Sequence, residues 1–208
     1  LSSQRGKDYL AAMACGANYA WANRQLLMHR TREVLEKRLR LSPRELGMRL
    51  VYDVCHNIAK IETFSVQGKA QKLCVHRKGA TRAFPAGHEA VPARYRSVGQ
   101  PVLIPGDMGT GSYVLVGEPK AMTETFGSAC HGAGRVMSRS QATRQSRGRS
   151  ITHEMADKGV VVMASSKGTL SEEMPEAYKN LHDVVQVMHE AGIARKVARL
   201  KALACIKG

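Results

Sequence analysis

Between residues 8 and 39 the chain has no proline, and Leu10, Met13, Ala14 and Ala17 recur at the spacing of one helical face. That pattern predicts a single long helix. Ser42-Pro43 then fits an N-cap followed by proline in the first turn of another helix. Tyr19 and Trp21 lie within the long helix, and the ordinary expectation for such aromatics is core packing.

Over residues 50–84 the texture changes to strand formers. Val51, Tyr52, Val54 and Ile58 predict extended chain, followed by Phe64 and Val66. Gln67-Gly68-Lys69 reads as a turn and residues 72–76 as the returning strand. Strands are expected at 101–104 and 112–116, with glycines between them where backbone can approach a ligand. A short helix is expected at 151–158 and a strand at 160–164. Glu172, Glu173 and Glu176 would open a last helix reaching about residue 191, where acids suit the helix dipole. This mixed order of elements points to an α+β fold, with mixed or antiparallel sheets and flanking helices, rather than regular βαβ winding.

Composition narrows the function class. The 208 residues suit one domain or a large part of one, read as a single unit over 1–208. Lys and Arg outnumber Asp and Glu by 32 to 17, a net charge of +15, so polyanions should bind, and less tightly as salt rises. The five cysteines include no C-x-x-C pair, which argues against a disulfide framework or a self-contained zinc site and for reduced thiols in the cytoplasm. No apolar run approaches the ~20 residues of a membrane span, and no signal peptide is recognisable. The chain opens on Leu1 rather than Met, so an incomplete N-terminus is expected.

Several familiar catalytic patterns fail. The Gly127 to Gly132 spacing resembles a P-loop but lacks the Lys-Ser/Thr. Neither His153-Glu154 nor His189-Glu190 extends into H-E-x-x-H, and Ser112 lacks the G-x-S-x-G elbow. Three constellations remain. In His131-Gly132-Ala133-Gly134-Arg135, a neutral imidazole could attack phosphorus while small residues admit phosphate oxygens and Arg135 offsets charge; a structural histidine is the plainer alternative. In Asp53-Val54-Cys55-His56-Asn57, strand alternation would place His56 opposite Asp53 and Cys55. His56 could ligate a metal there, or could be a core histidine. The basic run His76-Arg77-Lys78-Gly79-Ala80-Thr81-Arg82 and the arginines from Arg135 to Arg149 read either as phosphate contacts or as solvated surface.

These strings, in this order, resemble the RtcB family of RNA ligases. The resemblance rests on Asn18-Tyr19-Ala20-Trp21-Ala22-Asn23-Arg24, on residues 52–59 and 75–85, on Gly99-Gln100-Pro101, on residues 108–115, on 122–127 running into His131-Gly132-Ala133-Gly134-Arg135, and on the ending Ile206-Lys207-Gly208. It spans essentially the whole chain and corresponds to the C-terminal part of an RtcB-like catalytic domain.

The resemblance implies a GTP- and manganese-dependent ligase, with two metal ions in the intact enzyme. It would join 2′,3′-cyclic phosphate or 3′-phosphate RNA ends to 5′-hydroxyl ends, as in tRNA splicing or RNA repair. His131 is then the guanylylated histidine and His56 a manganese ligand. His56, Asn57, Pro105, Gly106, Asp107, Met108, Ser112, His131, Gly132, Ala133, Gly134, Tyr178 and Lys207 would contact GMP. Lys78 and Arg139 would hold RNA phosphate. RNA, as tRNA halves or broken strands, is the implied partner, and an archease-type activator is a further candidate. The resemblance also implies an N-terminal half that supplies an Asp, a Cys, a Gly-Asn-His string and another histidine, none of which stands in these residues. The alternative is a catalytically incomplete, basic module that binds RNA and guanine nucleotide.

Overall fold

The computed structural model describes residues 1–164, 167–201 and 204–207. Helix α1 runs Gln4–Leu39. The Ser3 side chain accepts from the Gly6 amide at its start, Lys37 and Arg38 face the negative end of its dipole, and Arg40 in the left-handed region ends it. α2 (Pro43–Leu46) is one turn set by a reciprocal Ser42–Glu45 capping box, with Pro43 where its missing N–H costs nothing. The core expectation for the α1 aromatics fails. α1 buries no residue, and Tyr19 is 78% and Trp21 40% exposed.

Residues 51–56 form no strand; β1 begins later, at Asn57–Val66. This segment is pinned by side chains instead. The Tyr95 hydroxyl donates to the Val51 carbonyl, and Gln100 donates to the Tyr52 hydroxyl at 2.7 Å. Strand alternation therefore does not govern Asp53, Cys55 and His56, contrary to the sequence expectation. β1 and β2 (Lys69–Lys78) form a ten-residue antiparallel hairpin. Its two-residue turn puts Gln67 at φ 51° and Gly68 at φ 77°, the paired positive values of the tight turn that matches strand twist.

β3 (Ala80–Arg82) pairs antiparallel with β6 (Ser128–Cys130), setting Ala80 opposite Cys130. β4 (Pro101–Pro105), β5 (Ser112–Gly117) and β8 (Ala194–Leu200) make an antiparallel sheet with β5 at its centre. α7 (Leu181–Glu190) lays Leu181 and Val185 on this sheet, against Val102, Ile104 and Leu115. A second cluster gathers Met108, Met155, Val162 and Met174 from α5 (Ile151–Asp157), β7 (Val161–Ala164) and neighbouring loops. A third joins Phe64, Phe84 and Val91. β9 (Ala204–Lys207) pairs parallel with β7. The remaining helices are α3 (Lys120–Glu124), α4 (Arg139–Gln145) and α6 (Lys167–Glu172). The architecture is α+β with mostly antiparallel pairing. Among the described residues no helix is long and apolar enough to cross a membrane.

The expected helix from Glu172 to about residue 191 is also corrected. α6 ends at Glu172, Pro175–Ala177 is a single 3-10 turn, and α7 starts only at Leu181 with Asn180 as its cap. Pro175 explains the break, since it disfavours helical backbone in the residue before it. The acids in the gap pair with arginines instead. Arg139 meets Glu172, Arg135 meets Glu173, and Arg149 meets both Glu154 and Glu176.

Candidate active site

His131 directly follows β6, and β6 is fixed by its pairing with β3. The link between His131 and His56 is Gly79, between β2 and β3. Its N–H donates to the His56 carbonyl at 3.0 Å, and its carbonyl accepts from the His131 N–H at 3.2 Å. Gly79 does this at φ 68°, a backbone state that carries a steric penalty for any residue with a Cβ. As a result the two imidazoles stack face to face, with ring centroids 3.7 Å apart and planes within 8° of parallel.

Burial, and secondarily the neighbouring His56, hold the His131 pKa below the usual histidine value near 6.5. Its imidazole is therefore neutral, with a free lone pair, over more of the pH range than an ordinary histidine's. That is the state a nitrogen nucleophile requires.

His131 lines a cavity of about 320 Å³ with Pro105, Gly106, Asp107, Met108, Gly132, Ala133, Gly134 and Tyr178, joined by Gly79 and Glu173. The volume lies in the range of small-molecule sites. The loop between β4 and β5 is closed by a hydrogen bond from the Gly106 amide to the Gly111 carbonyl at 2.9 Å. Asp107 turns its carboxylate back onto this loop, accepting from the amides of Gly109 and Thr110 and from the Thr110 hydroxyl. Its side chain is thereby committed to shaping the loop. Met108 is 3% exposed and packs in the second cluster, so it offers the cavity mainly backbone. Ser112 opens β5 opposite Pro105.

Tyr178 closes one side. The Arg135 guanidinium sits 4.9 Å from its ring centroid and donates to its hydroxyl at 3.1 Å, while that hydroxyl donates to Glu173. Burial, then the Glu173 carboxylate, push the Tyr178 phenol above its ordinary pKa. It stays protonated and the ring is clamped. Gly79, expected only within a basic run, and Glu173, expected only at a helix start, also line this cavity; Pro175 ends the helical backbone and leaves Glu173 in the loop beside Tyr178.

His56 and Asn57 line an adjoining cavity of about 540 Å³ with Cys55, Arg24 and the α1 residues Tyr9 and Met13. His56 thus lines this cavity and stacks on His131, which lines the other. Lys78 is exposed at the end of β2, paired with Asn57 in register and adjacent to Gly79. Arg139 is exposed on α4, 3.4 Å from Glu172. Lys207 belongs to β9, opposite Ala164, and its side chain lies outside the described residues.

A manganese ion needs several donors at once. Among the described residues no group of three or more His, Cys, Asp or Glu could hold one, and His56 is a single donor. These residues alone do not fit a metal centre. The cavity beside His131 is walled in part by the small residues Gly79, Gly106, Gly132, Ala133 and Gly134.

The family model described as "tRNA-splicing ligase RtcB" matches residues 1–208. A tRNA-splicing ligase RtcB from Archaeoglobus fulgidus is 58% identical over 208 residues, covering all of this chain and 43% of that protein. The Thermococcus kodakarensis protein of the same name is 55% identical over 206 residues, covering 99% of this chain and 43% of its own. The Pyrococcus abyssi protein is 57% identical over 206 residues, 99% of this chain and 22% of the relative. The chain therefore spans less than half the length of these relatives.

Proposed function

This chain belongs to the RtcB family, and from that premise we propose that it carries the nucleotide-accepting side of a GTP-dependent RNA ligase centre. The observation that carries the reading is the His131–His56 stack, bridged by Gly79, on the wall of a small-residue cavity. His131 Nε2 or Nδ1 attacks the α-phosphorus of GTP. An N–P bond forms, the bond to the bridging oxygen breaks, and pyrophosphate leaves. Gly132, Ala133 and Gly134 admit the phosphate oxygens closely, and the loop 105–108 covers the nucleotide on its other side. A 3′-phosphate oxygen of RNA then attacks the same phosphorus, and the N–P bond breaks. Finally a 5′-hydroxyl oxygen, giving up its proton, attacks the RNA-side phosphorus of the RNA(3′)pp(5′)G end; the new O–P bond forms as the bond to the bridging oxygen breaks, and GMP leaves.

Each transfer replaces one bond to phosphorus by another, so catalysis is mainly positioning and charge stabilisation. Lys78 and Arg139 are assigned to RNA phosphate, and Tyr178 to the guanine face. Lys207 is assigned to the guanylate from sequence resemblance alone. Manganese is assigned to the whole protein, with donors beyond these residues, and no step here is routed through it. An archease-type activator and a cytoplasmic setting belong to the same reading.

The test is covalent labelling of the full-length protein by α-labelled GTP with Mn²⁺. Label should survive base and be lost in acid, and His131→Ala should abolish it. Labelling that persists in that variant sinks the assignment. The isolated 208 residues should take no label, because their described residues assemble no three-donor metal group. For them alone the binding-module alternative is the expected behaviour.

A further inference from the structure

The loop between β4 and β5 has two sides. Pro105 to Met108 face the His131 cavity. Gly109, Thr110 and Gly111 line a separate cavity of about 420 Å³, whose other walls include Lys158, Arg199 and Lys201. Among the described residues no carboxylate side chain lines this second cavity. Residues 165–166, 202–203 and 208 include no Asp or Glu that could supply one.

The three cations converge for structural reasons. Leu200 pairs with Ser112 at the end of β8, and Gly111 lies so close that a Cβ there would meet the Leu200 carbonyl oxygen at 2.1 Å. Arg199 and Lys201, on either side of Leu200, are thereby held beside the loop. Lys158 arrives from the C-cap of α5. The acid one turn before it, Glu154, is held by Arg149 through bonds of 3.0 and 2.6 Å, and among the described residues Lys158 makes no ion pair within 4 Å. Neither Gly109 nor Gly111 carries a side chain that would close the entrance.

Three converging cations, no carboxylate side chain and an open glycine wall make an anion site. It is too open for one tightly held ion and too basic to stay empty near a polyanion. It also shares a loop with the cavity assigned above to the reacting nucleotide. We propose that this outer cavity binds backbone phosphates of the RNA strand several nucleotides from the reacting end. It would use Lys158, Arg199 and Lys201 to hold the strand against the far side of the 105–111 loop. The choice of RNA rests on the ligase reading; the cavity and its charge do not.

The experiment uses the full-length protein with Lys158→Ala, Arg199→Ala and Lys201→Ala combined, and a single-stranded RNA bearing a 3′-phosphate. Lys120→Glu, an exposed α3 position outside every cavity described, serves as the general-charge control. RNA affinity is read by fluorescence anisotropy across a salt series, and GTP labelling of His131 is read separately. The triple variant should bind RNA about tenfold or more weakly. Its dependence of log K on log salt should flatten by about 2, at roughly 0.7 for each phosphate no longer neutralised. Its labelling should match the parent. Binding within twofold of the parent, or an equal loss in Lys120→Glu, overturns the proposal. A parent that binds RNA through this cavity yet takes no label keeps the proposal and sinks the ligase reading instead.

Discussion

Helix α1 and the β4–β5–β8 sheet are built from similar apolar residues and treat them oppositely. On α1, Leu26, Leu27 and Val34 are each more than half exposed, at 52%, 58% and 58%. In the sheet, Val102, Ile104 and Leu115 are fully buried under α7. α1 is held by its caps, by backbone bonds and by a few polar ties, such as Arg24 to Asp53 and Tyr9 to His76. The sheet is held by packing. The same residue type therefore says little about stability until its neighbours across the fold are known.

The largest contrast should come from two arginines. Arg77 is 2% exposed and donates to Glu62, to the Ser128 hydroxyl and to the Phe126 carbonyl, all at 2.8–2.9 Å. It ties the hairpin to the turn that leads into β6 and His131. Arg77→Ala leaves the largely buried Glu62 carboxylate with only Arg82, 3.7 Å away, and should cost about 3 kcal/mol. Arg24→Ala breaks a partly exposed pair and should cost at most about 1 kcal/mol. Urea unfolding of both variants measures the difference; equal losses would mean α1 is as integral as the hairpin. Leu115→Ala against Leu27→Ala repeats the contrast without charge. The first should cost about 2–5 kcal/mol and the second within roughly 0.5 kcal/mol in this chain.

A third change probes the site itself. Gly79→Ala puts a Cβ on backbone at φ 68°, at a cost of roughly 1–2 kcal/mol. The cavity side is open around Gly79, so the penalty is conformational and not a clash. Relief of that strain would shift the two hydrogen bonds that join His56 to His131. On the ligase reading proposed above, guanylylation of the full-length variant should therefore fall more steeply than its stability does. Labelling at the parental rate would show that the stack does not depend on Gly79.

Much of this was legible in the chain because it is local. The cap at Ser42, the Gln67-Gly68 turn and the strands expected at 101–104 and 112–116 all follow from nearest neighbours. The glycines between those strands and the small residues after His131 marked backbone open to a ligand, but only the family resemblance assigned His131 and residues 105–108 to a nucleotide. What stayed hidden is non-local. Nothing along the sequence shows that Gly79 bridges His56 to His131, residues 75 apart. Nor does it show that Arg135 would clamp Tyr178, or that residues 51–56 would give up strand geometry for side-chain ties to Tyr95 and Gln100. The exposure of Tyr19 and Trp21 is of this kind too, since periodicity reveals a face but not what covers it.

The smallest effect separates two thiols, Cys15 on α1 and Cys130 at the end of β6. Cys15 is exposed. Burial pushes the Cys130 thiol above its ordinary value near 9, only partly opposed by hydrogen bonds from its own backbone and that of Gly132. The thiolate is the reactive form, so at pH 8.5 iodoacetamide should modify Cys15 well before Cys130. The same shift has a stability consequence. In the unfolded chain Cys130 loses its proton near pH 9, whereas in the folded chain it keeps the proton to higher pH. Its contribution to stability is therefore intact below about pH 9 and is lost as pH rises through the folded value. Cys130→Ala should flatten the alkaline limb of a Tm–pH profile; a limb left unchanged would mean that the thiol at the end of β6 is less enclosed than the sheet packing around it indicates, and the contrast between helix and sheet narrows.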